Sequence, residues 1–259
     1  MEASKIGAVE PGEIARRFYS GNLVYQEHLS RYRFVRGFLK GKTVLEIGSG
    51  PGDGTKYLAE AAKEITAVEI DPERRSFAIE NFSAPNISFA EMDARRLGFK
   101  DNRFDAVVSL EVIEHMSEHD LFVSEIRRVL NDGGLAILST PNKDVVRLEG
   151  STSNAAHVKE LDFDEFRRLL SGKFAKVDLY GQTRGKGVSG KGRALHDFVR
   201  GIDVLGLRRI FPQGLRDSVY SGFANATGAK RIEDIQASDL VISKHEVEKS
   251  RNIIAICTK

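Results

Sequence analysis

Hydrophobic positions along the chain alternate between a helical and a strand-like period. Ile14, Phe18, Leu29, Phe34, Val35 and Phe38 fall at mixed three- and four-residue spacings, which predicts helix over 13–40 with a break at Gly21-Asn22. Residues 42–47 (KTVLEI) read as a short buried strand ending in glycines. Residues 53–62 read as a helix with Asp53 or Thr55 near its N-cap, and 64–70 as a second strand. Pro72 suits a first helical turn, so 73–82 continues as helix. Strands follow at 87–90 and 104–110; the second is almost wholly apolar, as in a parallel sheet covered on both faces. A helix over 118–130 stops at Asn131-Asp132-Gly133-Gly134, and 135–139 is the next strand. Asp162 with Glu165 has capping-box spacing for a helix to Leu170. Strands at 174–180 and 252–258 bring the total to seven. This alternation predicts an α/β fold, a doubly wound, mostly parallel, Rossmann-like sheet.

Composition narrows the class. The chain has 259 residues, which suits a single domain over 1–259 rather than two full ones. Hydrophobic residues make up 41% and charged residues 29%, ordinary globular values that exclude disordered and collagen-like classes. No apolar run approaches the roughly 20 residues of a membrane helix. Residues 1–11 lack the apolar core of a signal peptide, so a soluble, cytoplasmic protein is expected. The single cysteine, Cys257, excludes an internal disulfide and a cysteine-based zinc cluster. The net charge of +2 conceals an asymmetry, because 184–251 holds 13 Lys+Arg against 8 Asp+Glu. That stretch opens with Gly-rich RGKGVSGKGR and has helical patterning around 195–205, 215–223 and from Glu233. It is expected to be a basic helical cap inserted before the last strand. Its charge suits a solvated helical surface or a partner bearing phosphate, nucleic acid included.

The sharpest local signal is Gly48-Ser49-Gly50-Pro51-Gly52-Asp53-Gly54, between the first strand and a helix. Glycines there let backbone N–H groups approach a ligand closely. The dinucleotide pattern G-x-G-x-x-G has no strict match: counting from Gly48, Gly50 or Gly52, the last position is Asp53, Thr55 or Tyr57. The triphosphate-loop candidate Gly37–Thr43 is one residue short and precedes its strand instead of following it. The ordered series VLEIGSGPG (44–52), TAVEID (66–71), EMDA (91–94), FDAVVSLEVIEHM (104–116), EIRRVLNDGG (125–134) and LSTPN (138–142) resembles the class I S-adenosylmethionine-dependent methyltransferase family. The resemblance covers about 13–183 and the final strand, and implies a seven-stranded sheet whose last strand is antiparallel. It also implies S-adenosylmethionine as cofactor. Gly48, Ser49, Gly50 and Gly52 would lie against that molecule, with Glu46 toward its amino-acid end. Glu69 would accept the ribose hydroxyls, with Asp71 as the weaker candidate. Asp93 would accept from the adenine amino group, and Ile70 and Ala94 would flank the ring.

Chemistry is expected at the carboxyl ends of the strands. Directly after the fourth strand, Glu111, Glu114 and His115 would share a face if the chain turned helical there. With the later His157, they form a candidate set for a divalent metal such as magnesium. An E-x-x-E-H run with a later histidine is similar to the metal-binding run of small-RNA 3′-end 2′-O-methyltransferases. Quinone-biosynthesis O-methyltransferases carry a similar run. The alternative reading has Glu111 capping a helix or contacting the cofactor, with His115 or His157 acting as general base. His119 falls at a polar helix start and is expected to be exposed.

Upstream, His28-Leu29-Ser30-Arg31-Tyr32 and the later Asn154–Glu160 run look like bacterial and archaeal methyltransferases of glycan biosynthesis. Arg31 would pair with the cofactor carboxylate and Tyr32 would cover the site. The reading that follows is O-methylation of a hydroxyl on a small molecule or glycan precursor. An RNA 2′-O-methyltransferase is the second choice, and a cofactor-binding pseudoenzyme acting through a protein partner the third. An NAD-dependent oxidoreductase is fourth, for want of a strict dinucleotide pattern. Nothing in the sequence bears on oligomeric state.

Overall fold

The structure, a computed structural model, describes residues 22–148, 156–184 and 235–259. Residues 13–21 of the expected N-terminal helix, Asn154, and 185–234 of the expected cap lie outside the described residues. In chain order the elements are α1 (Asn22–Arg36), β1 (Thr43–Ile47), α2 (Asp53–Ala59), β2 (Glu64–Val68), α3 (Pro72–Phe82), β3 (Ile87–Ala90) and β4 (Phe104–Leu110). Then come α4 (His119–Val129), β5 (Leu130–Pro141), α5 (Lys143–Leu148), α6 (Phe163–Ser171), β6 (Lys176–Arg184), β7 (Leu240–Ser243) and β8 (Asn252–Thr258).

The described residues form an eight-stranded sheet of order β3-β2-β1-β4-β5-β8-β6-β7. β1 to β5 run parallel, while β8 inserts antiparallel between β5 and β6. The antiparallel last strand is thus as expected, but the strand count is eight, not seven. The added strand, β7, pairs only with β6 at the sheet edge. It has four residues, LVIS, of which Leu240 alone is buried, and so short an apolar run does not by itself distinguish a strand.

Period-two alternation assigns successive residues to opposite faces of the sheet. Leu45 and Ile47 of β1, Val107 of β4, and Ala255 and Cys257 of β8 join one apolar cluster with Phe122 and Ile126 of α4 and Phe166 of α6. Val44, Ala106, Val108, Ile254 and Ile256 join the other, with Tyr32 and Val35 of α1 and Leu58 of α2. Burial pushes the Cys257 thiol up to about 12, consistent with a small hydrophobe.

Three local expectations change. Helix α2 is capped by Gly52 in the left-handed region at φ 90°, not by Asp53 or Thr55, and ends at Ala59. A Cβ on Gly52 would also lie 2.6 Å from that of Ala78, so this glycine serves the packing of α3. Strand β5 begins at Leu130, directly after α4. His119, expected outside, is buried: with Phe122, Val123 and Ile126 it completes the i, i+3, i+4, i+7 stripe of α4.

Candidate functional site

The site forms where the parallel strands end. After β1 the chain turns through Gly48 and Gly50, at φ 73° and 56°, before entering α2. A Cβ on Gly48 would strike Val112 at 2.5 Å, whereas the space beside Gly50 is open. The turn is tied to the end of β2 by Glu69. Its Oε2 accepts from the Gly50 N–H at 2.8 Å and its Oε1 from the Asp71 N–H at 2.9 Å. Asp71 caps α3, accepting from the Glu73 and Arg74 amides. Ser49 Oγ is buried with no hydrogen-bond partner.

Glu46 points to the α1–α2 face of the sheet. Its carboxylate accepts from Tyr32 Oη at 2.8 Å and Thr55 Oγ1 at 2.6 Å. Burial nevertheless pushes its carboxyl up to about 7; the two hydroxyls oppose the rise, and Asp53 and Glu69 add to it. Tyr32 crosses the start of α2, where a Cβ on Gly54 would meet its ring at 2.1 Å.

Arg31, one turn of α1 away from His28, is 2% exposed. Its Nη1 donates to Gln182 Oε1 at 2.5 Å, and its Nη2 lies 3.8 Å from Glu111 Oε2. Its Nε has no partner. Burial and the Arg31 charge hold the His28 imidazole well below its ordinary range.

The segment after β4 does not form the helix that would align Glu111 with Glu114 and His115. Glu111 adopts φ 56°, and only Ile113–His115 make a single 3₁₀ turn. Glu111 therefore turns to the sheet. Its Oε1 accepts from Ser139 Oγ at 2.7 Å and its Oε2 from Asn252 Nδ2 at 2.7 Å. Glu114, His115 and His157 converge instead, with one ligand atom from each lying within 4.8 Å of the others. Burial, and then the charge of Glu111, pushes the Glu114 carboxyl well above the carboxylate range, and its Oε2 has no partner. His115 Nδ1 sits 2.9 Å from the Ala156 carbonyl, and His157 Nδ1 sits 2.7 Å from Glu160 Oε1. A carbonyl and a carboxylate only accept, so both Nδ1 atoms carry a proton, and in the neutral ring Nε2 is the atom with the lone pair. The rings meet edge to face at 5.1 Å.

These groups line one cavity of about 510 Å³. It runs from Gly48, Ser49 and Gly50 past Arg31 and Glu111 to Glu114, His115 and His157. That volume lies within the range of small-molecule sites. Glu69, Ile70, Asp93 and Ala94 follow β2 and β3 and lie outside its lining. Ile70 is 62% exposed, an apolar side chain in the open next to Glu69. Asp93 is engaged by Arg95, whose side chain and amide donate to it and hold its carboxyl below the usual range. Ala94 is buried in the core. Orphaned Ser49 Oγ and Arg31 Nε, an open glycine turn and an exposed apolar Ile70 fit a ligand with a polar amino-acid end and a flat ring.

Sequence reasoning brought Glu46, the glycines, Arg31, Glu111, Glu114, His115 and His157 to this end of the sheet. It missed Thr55, Ser139, Gln182 and Asn252. Thr55 carries a signal in hindsight, one helical turn into α2 and nine residues from Glu46. The other three act through long-range strand pairing.

The family described as Methyltransferase domain matches residues 45–138. A "probable S-adenosylmethionine-dependent methyltransferase" of Mycolicibacterium smegmatis is 30% identical over 170 residues, 65% of this chain and 65% of its own length. A fatty-acid O-methyltransferase of the same organism is 31% identical over 121 residues, 45% of this chain and 44% of its own. The chain spans 54% to 65% of the length of the first curated relatives it matches. The crystal structure of an S-adenosylmethionine-dependent methyltransferase from Thermotoga maritima superposes with a TM-score of 0.60 at 14% identity, over 96% of this chain and 94% of that one.

Proposed function

We propose, on the premise that the chain belongs to the class I S-adenosylmethionine-dependent methyltransferase family, that it methylates a hydroxyl oxygen of a small molecule or glycan precursor. The observation that carries this reading is one cavity joining the glycine turn to two imidazoles, each oriented through its Nδ1. When bound, S-adenosylmethionine supplies a methyl group on a cationic sulfonium. The glycine turn and Ser49 would hold its amino-acid end, and Glu69 and Ile70 would hold its adenosine. His157 takes the acceptor proton on Nε2, while Glu160 stays on Nδ1 and balances the imidazolium that forms. The relative that is a fatty-acid O-methyltransferase supports an oxygen acceptor.

The test is calorimetric titration with S-adenosylhomocysteine, followed by turnover on a panel of hydroxyl acceptors. Binding with turnover supports the enzyme. Binding without turnover on any acceptor class favours the pseudoenzyme, and no binding overturns the cofactor assignment. Glu69→Ala is expected to weaken S-adenosylhomocysteine by about tenfold or more with the fold intact, since charge-assisted hydrogen bonds are lost. Unchanged affinity would sink the ribose role.

One observation favours a second reading. Glu114, His115 and His157 present an oxygen and two nitrogens at close range, and both imidazoles are oriented through Nδ1. Metal-bound histidines are commonly held that way. A divalent cation there would be held by these three residues, without Glu111, whose oxygens are engaged by Ser139 and Asn252. It would lower the acceptor hydroxyl's pKa. Turnover should then vanish in excess chelator and return on adding magnesium, manganese or zinc, and Glu114→Ala and His157→Ala should both abolish that dependence. Full activity in chelator removes the metal.

A further inference from the structure

We propose that Gln182 is a positioning residue that aims the Arg31 guanidinium at the carboxylate of the bound cofactor. This rests on the cofactor reading above. Gln182 lies on β6, 3% exposed and far in sequence from both the glycine turn and α1. Its Oε1 accepts from Arg31 Nη1. Its Nε2 donates to the Glu27 carbonyl at 2.9 Å and to Ser30 Oγ. With its oxygen against a cation and its nitrogen against two α1 acceptors, the amide has one orientation; turning it over would set N–H against guanidinium.

The sheet register extends the device. Gln182 is the ladder partner of Asn252 on β8, so the two side chains leave the sheet on the same face. Gln182 holds Arg31, and Asn252 holds Glu111, 3.8 Å from Arg31. The two ends of one rung therefore fix the cation and the anion of a loose pair. Arg31 is left under-compensated. Its one close acceptor is a neutral amide, the nearest carboxylate is beyond hydrogen-bond distance and already takes two bonds, and Nε has none. A buried guanidinium in that state has only a loose ion pair with Glu111 and no hydrogen-bonded anion. The cavity it lines runs to the Gly48–Gly50 turn and to the unpaired Ser49 hydroxyl, where an amino-acid end would lie. A carboxylate is the ligand group that fits.

The experiment compares two ligands by calorimetry on the full chain: S-adenosylhomocysteine, and S-adenosyl-3-thiopropylamine, the same molecule without its carboxylate. The wild type is expected to prefer the first by about tenfold or more. Gln182→Leu should remove most of that preference and leave the decarboxylated ligand's affinity unchanged. Gln182→Glu, close in shape, should do the same, because its own carboxylate would claim Arg31. Arg31→Gln combined with Gln182→Leu should lose no more than Arg31→Gln alone. Undiminished preference in both single variants overturns the proposal, as does an equal loss for both ligands, the mark of a residue that only shapes the pocket. Should the wild type bind both ligands equally, Arg31 does not meet the carboxylate and only this proposal falls. Should it bind neither, the cofactor reading falls with it.

Discussion

Alanine in place of His157 is expected to lower kcat for methyl transfer by about 10²- to 10⁴-fold, the usual worth of a positioned general base. Cofactor affinity should not change. The argument begins with the proton on Nδ1. Glu160, three residues on, accepts from Nδ1 at 2.7 Å, so Nε2 is the basic atom and the ring cannot rotate without losing that bond. His115 shares the cavity, but its Nδ1 faces the neutral Ala156 carbonyl, a weaker partner for an imidazolium than a carboxylate. His115→Ala should therefore cost less. A kcat within about threefold of wild type would remove His157 as the base.

Stability should carry a separate signature from Glu46. In the unfolded chain this carboxyl has its ordinary value near 4.5; in the folded protein burial holds it at about 7. Between those values the folded state keeps a proton that the unfolded state has released, so folding stability falls as pH rises through the window. The contribution is whole below pH 4.5 and lost above 7, a change on the order of 3 kcal/mol. Glu114 is raised too, and titrates in the same direction. Glu46→Gln isolates Glu46: the variant should gain on the wild type by about that amount as pH is raised from 4.5 to 8. Urea unfolding of both proteins across this range measures it. Parallel stability curves would mean that the Tyr32 and Thr55 hydroxyls fully offset the cost of burying the charge.

These two residues were legible to different degrees. Glu46 could be placed from the sequence because strand, glycine turn and helix are contiguous there, and β1 alternation sets its face. His157 was visible only as a histidine beyond the fifth strand. Its role needs Glu160 at hydrogen-bond distance and His115 across the cavity. The helical turn that would have put Glu111 on one face with Glu114 and His115 does not form, because the chain takes a left-handed step at Glu111, held by bonds to Ser139 and Asn252 that no local pattern announces. The polar neighbours of His119 suggest exposure, but its spacing to Phe122, Val123 and Ile126 puts it on the buried stripe.

What the sequence by itself determined is the part governed by short-range geometry. That part comprises the strand–helix alternation, the glycine turn, the capping box at Asp162 and the end of the sheet where the polar residues gather. Helical spacing and strand alternation act over a few residues, and a contiguous chain carries them. Only the tertiary structure decided the edge strand β7, the divergence of Glu111 from Glu114, and the Gln182–Arg31 and Asn252–Glu111 bonds that span 151 and 141 residues. Those depend on strand register, and a one-residue slip would turn each side chain to the opposite face. Register is set by the packing of both faces at once, so no local stretch of sequence contains it.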